Sequence, residues 1–129
     1  MVTMDGHSYR VRVKAGALRR GFRLEESELS DTVKSGDAFR DIIGTYYDYT
    51  MEVEPDPAHP GDYDQFYEAI SAPVPSHTLT VPYGQETLTY EAMVSSGEDR
   101  PRDRLGGVTR WTGLKVRFQA KKPQRRPTE

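Results

Sequence analysis

A mainly β protein is what the sequence predicts: an antiparallel β-sandwich or barrel with one short helix. Three observations predict it. Apolar and polar residues alternate with a period of two through most of the chain, as in strands with one buried face. Helical spacing of apolar residues occurs in a single stretch, and the connections suit antiparallel pairing, without the β-α-β alternation of a parallel sheet. The 129 residues fit one β-rich domain over 1–120, followed by a basic tail over 121–129 that is expected to be flexible.

Each element has its own signal. Val2, Thr3 and Met4 precede Asp5-Gly6, and Tyr9, Val11 and Val13 then alternate with Arg10, Arg12 and Lys14. Asp-Gly favours a tight hairpin because both central residues of that turn take positive φ. Residues 18–24 continue the alternation with Leu18, Phe22 and Leu24 against Arg19 and Arg23, a further strand. Residues 25–37 are acidic and polar, and read as a long surface loop, either functional or a solvated connection.

The strongest strand signal runs over 38–54. Thr45, Tyr47, Tyr49, Met51 and Val53 fall on one side, and Tyr46, Asp48, Thr50, Glu52 and Glu54 on the other, expected to face solvent. Gly44 interrupts its entry, which predicts a bulge or a close approach of another backbone. After a proline-rich loop, Asp62 and Gln65 resemble a capping box, and Tyr63, Phe66, Tyr67 and Ile70 form one apolar stripe of a short helix that Pro73 and Pro75 end. A second hairpin follows around residues 82–86, then a polar loop over 95–107, then a last strand over 108–120 with Leu114, Val116 and Phe118 inward.

Composition excludes several chemistries. The chain has no Cys, which removes disulfides, thiolate nucleophiles and Cys-based zinc sites. His7, His59 and His77 have no second ligand at metal spacing, and no nucleophile elbow, P-loop, zinc-helix motif or dinucleotide turn occurs. No cofactor is expected. A formal net charge of -2 supplies no overall field toward nucleic acid or an anionic membrane. Tyr46, Tyr47 and Tyr49 could stack bases, but Asp48 and Glu52 beside them would repel phosphate. No run approaches the ~20 apolar residues of a membrane span, and the amino end lacks the basic and apolar blocks of a signal peptide, so a cytoplasmic protein is expected.

The near-zero charge divides unevenly along the chain. Arg10 and Arg12 lie near the start, Arg102 and Arg104 in the second polar loop, and Lys121, Lys122 and Arg125 in the tail, whereas Asp48 and Glu52 mark an acidic strand face. With Tyr46, these are the candidate interface residues. Acidic middle and basic ends suit a head-to-tail contact between copies, as in a ring or stack.

Two stretches carry a family resemblance: Arg40-Asp41-Ile42-Ile43-Gly44-Thr45-Tyr46-Tyr47-Asp48-Tyr49, and the ending Trp111-Thr112-Gly113-Leu114-Lys115-Val116-Arg117-Phe118-Gln119-Ala120-Lys121-Lys122-Pro123. With the helix over 63–70 and the following Pro-Ser-His-Thr run, they resemble small tail and structural proteins of phages and prophages of Gram-positive bacteria. The resemblance implies a tail-tube-like β fold and a non-enzymatic structural or assembly role. Its partners would be copies of itself and other phage structural proteins, first in the host cytoplasm and then in the virion. Tube subunits of this kind carry long hairpins, and here no hairpin extends beyond the strand around Tyr47. The alternative is a small nucleic-acid-binding β domain using the basic strand 10–14 and the tail.

Overall fold

The computed structural model describes residues 1–26, 31–32, 38–39 and 41–127. Its strands in chain order are β1 (Val2–Met4), β2 (His7–Tyr9), β3 (Val11–Val13), β4 (Arg19–Glu26), β5 (Asp31–Thr32), β6 (Ala38–Phe39) and β7 (Ile42–Pro55). The helix α1 (Pro60–Ile70) follows, then β8 (His77–Tyr83), β9 (Glu86–Met93), β10 (Gly97–Leu105) and β11 (Val108–Ala120). Nine strands form one antiparallel sheet in the order β2-β1-β8-β9-β11-β7-β3, with β10 paired to β11 and β4 to β7; β5 and β6 pair separately. The sheet is open. Its two ends, β2 and β3, are nevertheless separated in the chain only by Arg10.

The centre of the sheet is the ladder from Leu114 opposite Val53 to Gln119 opposite Asp48. Both strands outrun it and change partners. β7 pairs β4 along its first half and β3 at its end, while β11 pairs β10 along its first half and β9 at its end. Two ribbons therefore leave the ladder at opposite ends. The alternation expected of 108–120 holds, with Leu114, Val116 and Phe118 buried and Lys115 and Arg117 exposed.

The core gathers Tyr49, Met51 and Val53 of β7, Leu114 and Phe118 of β11, Leu79 of β8 and Met4 of β1 under α1. Tyr63, Phe66 and Ile70 form the buried stripe of α1, and Tyr67 stays partly exposed. Phe66 meets the ring of Tyr9 edge-on at 5.3 Å. The helix begins differently from the expectation. Pro60 sits in the first turn, where its missing N–H costs nothing, and His59 is the N-cap with no side-chain capping bond. Asp62 is engaged elsewhere: its Oδ2 accepts the backbone N–H of Arg10 at 2.8 Å, tying the β2–β3 junction to α1.

Both tight hairpins form. Asp5 and Gly6 take φ of 54° and 76°, and Asp5 also fastens the turn to β8, accepting the Thr78 N–H at 2.7 Å and pairing with the buried His77 ring at 2.7 Å. Gly84 turns β8 into β9 with φ of 59°.

Three expectations are corrected, and the start of the tail is placed beside β7. Residues 97–105, read as loop, form β10, because pairing with β11 satisfies a backbone whose side chains are nearly all polar. Asp48 and Glu52 are not solvent-facing: Arg23 of β4 and Arg117 of β11 lie over Asp48, and Lys14 after β3 and Lys115 of β11 over Glu52. Phe22 and Leu24 of β4 are exposed, because β4 pairs β7 beyond the part of the sheet that the core covers. Residues 121–125 do not leave the body as a free tail: the Thr45 N–H donates to the Arg125 carbonyl at 2.8 Å and the Gln124 N–H to the Thr45 carbonyl at 2.8 Å. Of the expected loop 25–37, residues 25 and 26 belong to β4 and 31–32 to β5; the rest lies outside the described residues.

Gly44 is where the tail reaches β7. A Cβ there would stand 2.5 Å from the Arg125 carbonyl oxygen and 2.6 Å from the Pro123 Cβ, and the β4 register shifts opposite it. Both readings of this glycine, irregular pairing and close approach, are met. Gly44→Ala is expected to cost about 1–3 kcal/mol, the range for overpacking. A urea titration followed by circular dichroism checks it, with Gly21→Ala, where a Cβ meets nothing within 4 Å, as the tolerant comparison.

Candidate functional site

The candidate interface residues do not converge on one surface. Arg10 lies at the β2–β3 junction, its guanidinium donating to the His59 ring at 3.2 Å, and Arg12 lies opposite Glu54 in the β3–β7 pairing. Arg102 and Arg104 lie on β10. Lys121, Lys122 and Arg125 run past the end of β11 toward Thr45.

The acidic partner of a head-to-tail contact is already satisfied within the chain. Arg23 donates from Nε to Asp48 Oδ2 at 2.7 Å and from Nη2 to Oδ1 at 3.3 Å, a two-pronged contact on a buried carboxylate. Arg117 approaches the same carboxylate at 3.6 Å. Glu52 is shared by Lys14 at 3.3 Å and Lys115 at 3.9 Å. Tyr46 lies beneath the Arg23 guanidinium, 5.1 Å from the ring centroid. The hydrogen bond to Asp48 is the main reason that the Arg23 pKa is raised further, so this cation stays charged and committed.

Two other surfaces have no covering element among the described residues. The first is a cleft of about 530 Å³ on the inner face of the β4–β7 ribbon, bounded by Arg20, Phe22, Leu24, Tyr47, Tyr83 and Arg125. Register explains its floor: Phe22 lies opposite Tyr47 and Leu24 opposite Thr45, so the apolar sides of both strands point the same way. Phe22 is 70% exposed. The far wall is the end of β8, where the Tyr83 hydroxyl meets that of Tyr47 at 3.0 Å. The hydrogen bond with Tyr83 holds the Tyr47 hydroxyl below the ordinary tyrosine range, aided by the charges of Arg125 and Arg20. The same bond raises Tyr83, and either hydroxyl can be its donor.

The second surface is the distal half of the β10–β11 hairpin. Gly106 and Gly107 form its tip with φ of 59° and 78°, and two register shifts twist it, between Glu98 and Arg100 and between Pro101 and Asp103. Leu105 and Val108 are each 63% exposed beside the tip, and Trp111 is 42% exposed. A cleft of about 400 Å³ lies between Trp111 and Arg102 on one side and Pro57 and Pro60 on the other. At the root, Tyr63 of α1 donates to Asp99 Oδ2 at 2.9 Å, and the Arg100 guanidinium packs directly on Gly113, whose φ of 71° marks a bulge.

No family model matches the chain, and no curated protein matches it.

Sequence reasoning reached Arg125 and Arg102 but missed Phe22, Tyr83, Val108 and Trp111 as surface groups. The available signal was the alternation over 18–24, which marks an apolar strand face without saying whether anything covers it. Burial divides the eight tyrosines of this chain. Desolvation is the main cause that raises Tyr9, Tyr49, Tyr63 and Tyr90 above the usual value, and for Tyr63 the bond to Asp99 adds to it. A raised folded-state pKa means that the stabilisation from these groups is complete below about pH 10 and lost as pH rises through the folded-state values. Absorbance at 295 nm is expected to show part of the tyrosines ionising near pH 10 and the buried group only as circular dichroism reports unfolding, with all eight titrating together in urea. A smooth titration of all tyrosines in the folded protein would contradict this.

Proposed function

We propose that this chain is a non-enzymatic structural or assembly protein of a phage or prophage tail, acting through contacts with copies of itself and with other phage structural proteins. The observation that carries the reading is the pair of ribbons leaving opposite ends of the β7–β11 ladder, each with uncovered apolar side chains. Phe22, Leu24 and Ile43 stand on one, and Leu105, Val108 and Trp111 on the other. Contiguous exposed apolar surface of this kind on a small protein marks contact with another macromolecule, and aromatic and arginine side chains are the usual anchors of such contacts. The tail assignment itself comes from the resemblance of residues 40–49 and 111–123 to tail proteins of Gram-positive phages. The β10–β11 hairpin, which the sequence did not reveal, supports the reading, since tube subunits carry long hairpins.

A sandwich or barrel of the tail-tube kind is part of the proposal. It is supported by the two long strands that change partners along their length, and by the stretch His7 to Val13, which pairs β1 at one end of the open sheet and β7 at the other. Work in the host cytoplasm followed by incorporation into the virion goes with the same reading. A nucleic-acid domain gains less support: Arg10 is engaged with His59, Lys14 with Glu52, and the tail backbone with β7.

The experiment is a combined Leu105→Ser, Val108→Ser, Trp111→Ser variant. All three side chains are substantially exposed, so its thermal melt is expected to follow the parent within the small range typical of surface changes. Its entry into tail particles, followed by negative-stain microscopy of particles assembled with the other tail proteins, is expected to be lost. Particles that form normally without the parent chain would overturn the reading, as would a salt-dependent shift on DNA with no protein assembly.

A further inference from the structure

We propose that the cleft between Arg20 and Arg125 is the docking site for an acidic segment of a partner protein, one in which a large apolar side chain is flanked by carboxylates. The inference rests on the contact-protein reading above and names the chemistry of the partner at one of its two ribbons.

Charge complementarity selects the occupant. Two guanidinium groups border the cleft, and among the described residues no carboxylate lines it and neither Arg20 nor Arg125 forms an ion pair. Every other side of the β7 strand is treated differently, since Asp48 and Glu52 on its opposite face hold Arg23, Arg117, Lys14 and Lys115. Arg20 and Arg125 are thus two of the cations without an ion pair among the described residues, and they are the two that border an apolar cleft. Arg20 also lies over the Tyr83 ring, 5.7 Å from its centroid, which orients the guanidinium without neutralising it.

The floor between the two cations is apolar, made by Phe22 and Leu24 with the Tyr47 ring. A ligand that satisfies all of this presents carboxylate, apolar group and carboxylate in succession. A nucleic-acid backbone fits less well, because its evenly spaced phosphates call for a row of cations and not two separated by an exposed phenylalanine. The distal β10–β11 ribbon of a second copy is also a poorer match, since it brings Arg102 and Arg104 toward two more arginines, with Asp103 already held by Arg110.

The test uses the full chain and a fluorescein-labelled, acetylated peptide alternating Glu and Phe, with its counterpart alternating Gln and Phe. Fluorescence anisotropy is expected to show binding of the acidic peptide that weakens with salt, and affinity lower by about 10-fold or more for the Gln peptide and for the R20Q/R125Q double variant. Arg20 and Arg125 are both exposed, so the variant keeps the parent melting curve. Phe22→Ser is expected to weaken both peptides alike. Equal binding of the two peptides, undiminished binding by R20Q/R125Q, or no binding would overturn the proposal. Tighter binding of a single-stranded oligonucleotide at the same arginines would overturn it in favour of nucleic acid, and self-association abolished by R20Q/R125Q in favour of a second copy. If the peptide fails while the Leu105, Val108 and Trp111 variant still blocks particle assembly, this inference alone falls; if that variant assembles normally, the contact-protein reading falls with it.

Discussion

Everything in this molecule is referred to the six-residue ladder between β7 and β11. Its inner side chains, Tyr49, Met51 and Val53 against Leu114, Val116 and Phe118, supply the centre of the core. Its outer side chains supply charged pairs. Because both strands are longer than the ladder, each has edge left over to recruit further elements: β4, β3 and the tail on β7, β10 and β9 on β11. One pairing thereby positions the core, the helix that covers it, and two ribbons pointing away from it. A disturbance at the ladder would be felt in all of them, since burial of apolar area is what stabilises the ladder and the ribbons depend on its register.

Electrostatics follow from the same register. Lys115 stands directly across from Glu52, and Arg23 and Arg117 reach Asp48 from the two neighbouring strands. With the carboxylates largely buried, the attraction in such pairs is offset by the cost of desolvating them. Their effect here is on what remains. With the acidic strand face neutralised from within, the net charge near zero conceals an arginine-bordered cleft at one end of the sheet and an arginine-rich hairpin at the other. The Asp48 and Glu52 face, which the charge distribution along the chain offered as one half of a head-to-tail contact, is thus paired within the chain.

The exposed ribbons carry a cost that proteins ordinarily avoid. Free strand edges invite pairing with other chains, and arginines, prolines and bulges are the usual restraints. Both ribbons carry such restraints. β4 has Arg19, Arg20 and Arg23 among its eight residues, and β10 has Pro101 and two register shifts. Exposed apolar groups held on guarded edges suit a protein that joins a chosen partner and stays apart from others.

The sequence by itself determined the local structure: β class, both tight hairpins, the helix stripe, the last strand and the significance of Gly44. These depend on periodicity, turn chemistry and backbone sterics, which neighbouring residues settle among themselves. Residues 97–105 escaped it because their side chains show no apolar alternation, and only backbone pairing with β11 makes them a strand. The fate of each face was decided by tertiary structure. Alternation marks Phe22 and Tyr49 alike as apolar strand residues, but Tyr49 is covered by β8 and Phe22 by nothing among the described residues. Asp48 and Arg20 are equally polar in the sequence, yet one is buried under Arg23 and the other borders an open cleft. Whether a side chain is core, paired or available depends on which strands come to lie beside it. That is set by contacts between residues dozens of positions apart, and no local pattern contains it.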